Sequence, residues 1–244
     1  MLLSAAQRGA KFSNWQGGVH VAAFVSGGAL PPARRGIKLQ GLTTIWDLYA
    51  TFGVAGGLSE AEATEDAAAA AAGLPAVDSI SQWGYWNGSV ATPPRTELAI
   101  GGEVGNENGA GGGVRFRGPT SSNTGVEALI WGTPGRQFKL MVGTFHEAAW
   151  TGPEWPNSSS TSFAANNSHW LVTADCRAGC LFDISETMHG DNEHTDLAAT
   201  QPDMVKKMRA RLEQINATVF SPNRGPADKE LGCNVALNDY SGFW

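Results

Sequence analysis

Residues 8–28 read "RGAKFSNWQGGVHVAAFVSGG", and the reading of the whole chain turns on them. The stretch passes Arg8, Lys11, Phe12 and Trp15, reaches Gly17-Gly18, and then runs apolar with β-branched Val at 19, 21 and 25. Such a run reads as a strand covered on both faces, as in the parallel sheet of an α/β protein. Pro31-Pro32 ends it, and "ARRGIKLQG" (33–41) reads as a polar crossover. In "LTTIWDLYATFGVAGG" (42–57), Ile45, Leu48, Tyr49 and Phe52 stand at helical spacing, a Thr before the run suits a cap, and glycines at 53, 56 and 57 stop it. Strand, crossover and helix make one half-unit of an α/β fold. A single buried strand cannot make a sheet, so its neighbours must come from elsewhere.

Residues 59–73, "SEAEATEDAAAAAAG", are alanine-rich and read as a surface helix or loop. Beyond them the period shortens. "RTELAIGG" (95–102), "EALIWG" (127–132), "RQFKLMVGT" (136–144) and "CLFDIS" (180–185) read as short strands, the middle two joined by the turn signal "GTPGR". Two Gly/Asn/Ser-rich loops, 103–125 and 151–168, lie between them. The last helix, about 202–217, has Pro202 in its first turn and an apolar stripe of Met204, Met208, Leu212 and Ile215. Lys206, Lys207, Arg209 and Arg211 are expected to face outward. A helix covering a small antiparallel sheet makes an α+β appendage.

Composition narrows the partners. Across 244 residues the net charge is −6 and no basic cluster appears, which argues against nucleic acid. No apolar run reaches the roughly 20 residues of a membrane span, and "MLLSAAQRGAK" lacks the basic and apolar regions of a signal peptide. Three cysteines cannot all pair internally. Cys176 and Cys180 could pair across a tight loop, which leaves Cys233 over. Sequons at Asn87, Asn157, Asn166 and Asn216 are glycosylation candidates and favour a secreted history. "HGDNEHTD" (189–196) gathers acids and histidines but lacks calcium-loop spacing, and reads as an exposed turn. "FHEAAWTGPEW" (145–155) could line a pocket mouth through His146 and Trp150.

Residues 8–28 resemble the sulfatase segment R-G-x-K-x-x-x-W-E-G-G-V-R-V-P, closest to the arylsulfatase B-like (N-acetylgalactosamine-4-sulfatase-like) branch. "GLTTIWDLYATFGVAGG" resembles the helix motif that follows it, with Ala50 where proline is customary. Gln16 replaces the usual Glu, and His20 the usual Arg. "PPRTELAI", "GRQFKLMVG" and "CLFDISETMHGDNEHTDLA" are similar to three later motifs in the same order. Each motif alone is weak; five in order, from Arg8 to the end of the chain, are not.

The resemblance implies an α/β, alkaline-phosphatase-like sulfatase fold, present in part. Residues 1–75 would be the end of the catalytic domain with its large mixed sheet. Residues 76–244 would be a C-terminal subdomain with a small four-stranded antiparallel sheet packed by the last helix. It implies an activity, sulfuric ester hydrolysis, and places Lys11 as a sulfate contact in the complete enzyme. It also implies a calcium cofactor, a sulfated small molecule or glycan as substrate, a secretory or lysosome-like location, and an upstream partner for Cys233. The family's nucleophile, a Cys or Ser two residues before Pro in a motif ending in Arg, is not matched: no cysteine here has proline two residues on. Its calcium ligands are expected upstream, so the chain alone is expected to be inactive. The alternative is a non-catalytic sulfatase-like module that binds a partner or a sulfated glycan.

Overall fold

The computed structural model describes residues 8, 9, 13–101, 126–145, 174–185, 193–218 and 229–238. They form a mixed α/β structure around one four-stranded antiparallel sheet in the order β1-β2-β3-β4. The strands are β1 Glu97–Gly101, β2 Val126–Thr133, β3 Arg136–Phe145 and β4 Ala174–Asp183. The described helices are α1 Gln16–Val19, α2 Asp47–Ala55, α3 Glu60–Thr64, α4 Ala67–Ala71, α5 Trp83–Asn87, α6 Pro202–Asn216 and α7 Lys229–Asn238. None of the described helices is long and apolar enough to cross a membrane.

The small sheet follows its sequence pattern. β2 and β3 meet at Pro134-Gly135, with Thr133 paired to Arg136 and Gly135 at φ 83°. Proline presets the first central position of a type II turn, and glycine accepts the positive φ of the second. β4 begins at Ala174, earlier than "CLFDIS" suggests, because the polar stretch before it pairs across a bulge. Met141 faces Cys180 and Gly143 faces Cys176, so Arg177, Ala178 and Gly179 loop out. The Cys176–Cys180 disulfide spans that bulge with its Cα atoms 5.0 Å apart.

Alternation along the strands gives the sheet two buried faces. Leu129, Phe138, Leu140 and Leu181 face α6 and pack on Met208 and Leu212, with Met204 and Ile215 at the margin. Ala128, Ile130, Met141, Phe182 and Ile184 face the other way and pack on Trp15. Each large side chain buried in this way contributes about 1.5–3 kcal/mol. Arg209 and Arg211 do not face outward as expected. Arg211 makes a two-pronged ion pair with Glu97 of β1, at 2.5 and 2.9 Å, and Arg209 donates to the Arg177 carbonyl at 3.2 Å. Because α6 lies across the sheet, Arg211 reaches one edge strand, β1, and Arg209 the other, β4.

The segment 17–28 departs from expectation. It forms no strand: Gln16–Val19 make a single helical turn, and 20–26 are neither helix nor strand. Phe24 is 91% and Val21 75% exposed. A strand needs a hydrogen-bonding neighbour, and no described backbone group bonds residues 21–26.

Helix α2 forms, but its faces are reversed. Asp47, Ala50 and Thr51 are buried, while Ile45, Tyr49 and Phe52 are exposed by 76, 63 and 64%. The expected threonine cap is also reversed: Thr44 donates its backbone N–H to Asp47 Oδ2 at 3.0 Å, and Trp46 stands at the cap position. Gly53 lies inside the helix, with Gly56 and Gly57 beyond its end. The alanine-rich stretch forms α3 and α4 as surface helices, α3 opened by a Ser59/Glu62 capping box.

Candidate functional site

The site is formed around Arg8, Gly9 and residues 13–17, the described residues on either side of Lys11 in sequence. Because Phe138 and Leu140 face α6, strand alternation sends Lys139 to the opposite face, beneath residues 13–16. There its Nζ donates to Glu193 Oε1 at 2.6 Å and to the Asn14 carbonyl at 2.5 Å, and reaches Gln16 Oε1 at 3.5 Å. Glu193 Oε2 accepts the Gln16 backbone N–H at 2.8 Å. Arg8 donates to the Glu193 carbonyl at 3.1 Å and lays its guanidinium 3.8 Å from the Trp15 ring centre. Trp15 in turn meets Phe145 and Phe182 edge-on, at 5.9 and 5.6 Å.

The chain closes on itself here. The Gly17 N–H donates to the Arg8 carbonyl at 2.7 Å. A Cβ on Gly17 would lie 2.4 Å from the Gly9 carbonyl oxygen, so only glycine permits the approach. The paired glycines of the sequence motif therefore have a steric reason at their first member.

Burial sets the electrostatics. It pulls the Lys139 ammonium below its ordinary range, and the Glu193 charge and hydrogen bond pull back. Arg8 is lowered in the same way, opposed first by Glu193 and then by Asp196. Burial raises the Glu127 carboxyl, against a 3.2 Å hydrogen bond from Asn14. Lys139 and Glu193 have no exposed side-chain surface, so the pair cannot meet a ligand itself. Its consequence is mechanical: it fixes both chain ends of the loop at residues 8 and 14–17.

A second buried pair holds α2. Asp47 accepts from Arg95 Nη2 at 2.5 Å and Nε at 2.8 Å, from the Ile80 N–H at 2.9 Å and from the Thr44 N–H at 3.0 Å. Burial pushes this carboxyl up, yet the bonds from Arg95, Ile80 and Thr44 outweigh it and hold Asp47 below its ordinary value. The pair joins segments on either side of the domain boundary expected at residue 75. Two further buried bonds are accepted by hydroxyls, Ser79 Oγ from the Ala50 N–H and Thr51 Oγ1 from the Gln82 N–H, both at 2.9 Å.

Lys11, His146, Trp150, Asn157 and Asn166 lie outside the described residues. Asn87 ends α5 and accepts the Ser89 N–H at 2.8 Å, and Asn216 ends α6. Cys176 pairs with Cys180, and Cys233 on α7 is an exposed free thiol. "HGDNEHTD" corrects the surface-turn reading at one residue: Glu193 is fully buried, at φ 65°. Among the described residues no group of three or more His, Cys, Asp and Glu could hold a metal ion.

The buried ionic residues had one faint sequence signal. Lys139 interrupts the apolar run "FKLMV", and Asp47 interrupts "IWDLY"; a charge inside an apolar element asks for a partner. No protein-family model matches the chain, and no solved structure matches it.

Proposed function

We propose that this chain is the C-terminal part of an arylsulfatase-like hydrolase of sulfate esters, of alkaline-phosphatase-like fold, with Lys11 contacting the sulfate in the complete enzyme. One observation carries the reading. The five stretches that resemble sulfatase motifs fall into two buried polar hubs: Asp47 of the second meets Arg95 of the third, and Lys139 of the fourth meets Glu193 of the fifth and Asn14 and Gln16 of the first. Likeness in sequence does not require these side chains to touch. Their meeting supports one architecture in which the loop 8–17 is held to a fixed base.

Such a base suits a sulfate-contacting lysine. Hydrolysis of a sulfate ester builds charge on the sulfate oxygens and the leaving oxygen, and a preorganised cation offsets it. Lysine supplies a compact point charge, and its flexible stem gains from a loop whose ends are fastened. Among the described residues no cluster of carboxylates could hold calcium, and Asp47, Glu97, Asp175 and Glu193 are each paired with an arginine or lysine. By the resemblance, both the nucleophile and the calcium ligands belong to the expected upstream part.

The test is mass spectrometry of the protein from its native source, with an aryl sulfate assay alongside. The reading expects peptides contiguous with Met1 on its upstream side that carry a formylglycine-type Cys or Ser motif. It also expects no aryl sulfate turnover by the 244-residue chain alone. A native product that starts at Met1 and binds sulfated glycan without hydrolysis would instead establish the non-catalytic module.

A further inference from the structure

We infer that a small cavity beside α5 is a binding site for a primary alkylammonium ion, with Glu60 as its counter-charge. The inference does not rest on the sulfatase reading.

The cavity has a volume of about 130 Å³. A water takes roughly 30 Å³ in the liquid, and drug-sized pockets begin near ~300 Å³, so this one has room for a single small molecule. Glu60, at the start of α3, brings a carboxylate to it, and Ser81 and Tyr85 bring hydroxyls. Ile80, Val90 and Pro94 supply apolar wall.

That wall is fixed before any ligand arrives. The Ile80 N–H donates to Asp47 Oδ1, the Gln82 N–H to Thr51 Oγ1 and the Ala50 N–H to Ser79 Oγ, each at 2.9 Å. Residues 79–82 are thereby tied to α2, and a preorganised wall spares a ligand the cost of ordering it.

The polar groups have capacity to spare. The described residues give neither the Glu60 carboxylate nor the Tyr85 hydroxyl a hydrogen-bond or ion-pair partner, although Tyr85 is only 8% exposed. Ser81 is buried too, and its Oγ accepts one bond, from the Trp83 N–H at 3.3 Å. Nearly buried polar groups are ordinarily satisfied. Three oxygen acceptors match the three N–H donors of a primary ammonium.

Charge selects the class of ligand. Glu60 is followed closely by Glu62, Glu65 and Asp66, a field that favours a cation and opposes sulfate or phosphate. The two arginines bonded nearby do not cancel it. Arg95 is paired with Asp47, Arg34 donates to the Tyr85 and Trp86 carbonyls, and neither lines the cavity. The apolar wall suits an alkyl chain of a few carbons, which a bare metal cation would leave wet.

The experiment titrates the full 244-residue chain with n-butylammonium at neutral pH and follows the backbone amides by NMR. The amides of Ile80, Ser81, Gly84 and Val90 should shift together and saturate, with a dissociation constant on the order of millimolar. Butan-1-ol, of nearly the same shape without the charge, should bind about threefold to fivefold more weakly, and Glu60→Gln should weaken n-butylammonium by the same factor. That variant keeps the fold, because α3 is capped by Ser59 and Glu62. The inference is overturned by shifts that do not saturate, by shifts centred away from these residues, by equal binding of butan-1-ol, or by a Glu60→Gln chain that binds n-butylammonium unchanged.

Discussion

Lys139 Nζ lies 2.6 Å from Glu193 Oε1, and neither side chain reaches water. Two charges buried together in this way are expensive to separate, because removing one leaves the other unpaired in a low-dielectric interior. Here the pair also holds the chain at Asn14 and Gln16, so its loss frees the described residues that follow Lys11 in sequence.

Glu193→Gln and Lys139→Met are each expected to destabilise the chain by about 3–5 kcal/mol. The double variant Lys139→Met/Glu193→Gln should lose clearly less than the sum, since no unpaired charge remains. Urea unfolding of the four proteins measures this, and full additivity would show that the two residues do not act as a pair.

Asp47 sets an acid limit. Its carboxyl is held below its ordinary value of 3.8, so it contributes stability that is fully present above that value and is lost as pH falls through its folded-state pKa. Asp47→Asn should cost about 3 kcal/mol at neutral pH. The gap between the two proteins should hold down to the ordinary carboxylate range and narrow below it. Thermal unfolding from neutral pH down to about pH 2 gives the curve; a gap that does not change with pH would rule out an ionised Asp47.

Gly17→Ala tests the closed loop. The added methyl would sit 2.4 Å from the Gly9 carbonyl oxygen and 2.7 Å from that of Arg8, both backbone atoms that cannot swing aside. A loss of about 2 kcal/mol is expected, with faster exchange at Gly17 and Gly18. Gly57→Ala is the informative contrast, because φ is 106° there but nothing lies near its Cβ. Strain alone should then make it the milder change.

The cysteines give a count. One thiol per chain, Cys233, should react under native conditions, and three after reduction. Reduction should cost about 2 kcal/mol, as expected for so short a loop. A native count of three would show that the bulge in β4 forms without its disulfide.

The local features were legible before any tertiary contact was known. Alternating runs marked four strands, Pro134-Gly135 marked their turn, and Met204, Met208, Leu212 and Ile215 marked the face of α6. The two ionic hubs were not legible, because their partners lie 54 residues apart for Lys139 and Glu193 and 48 for Arg95 and Asp47. Nothing local says which distant carboxylate a buried lysine will find.

The sequence by itself determined the elements of the antiparallel sheet and its helix, since period and turn chemistry are properties of adjacent residues. It also suggested a buried strand in "GGVHVAAFVSGG", which the described structure does not form and leaves exposed. Only the tertiary structure decided where that run stands: no described strand pairs with it, and α2 turns Tyr49 and Phe52 outward. The physical reason is competition for the inside of α2. Asp47 accepts hydrogen bonds from Arg95, Ile80 and Thr44, and a buried carboxylate with that many partners outweighs the burial of Ile45, Tyr49 and Phe52.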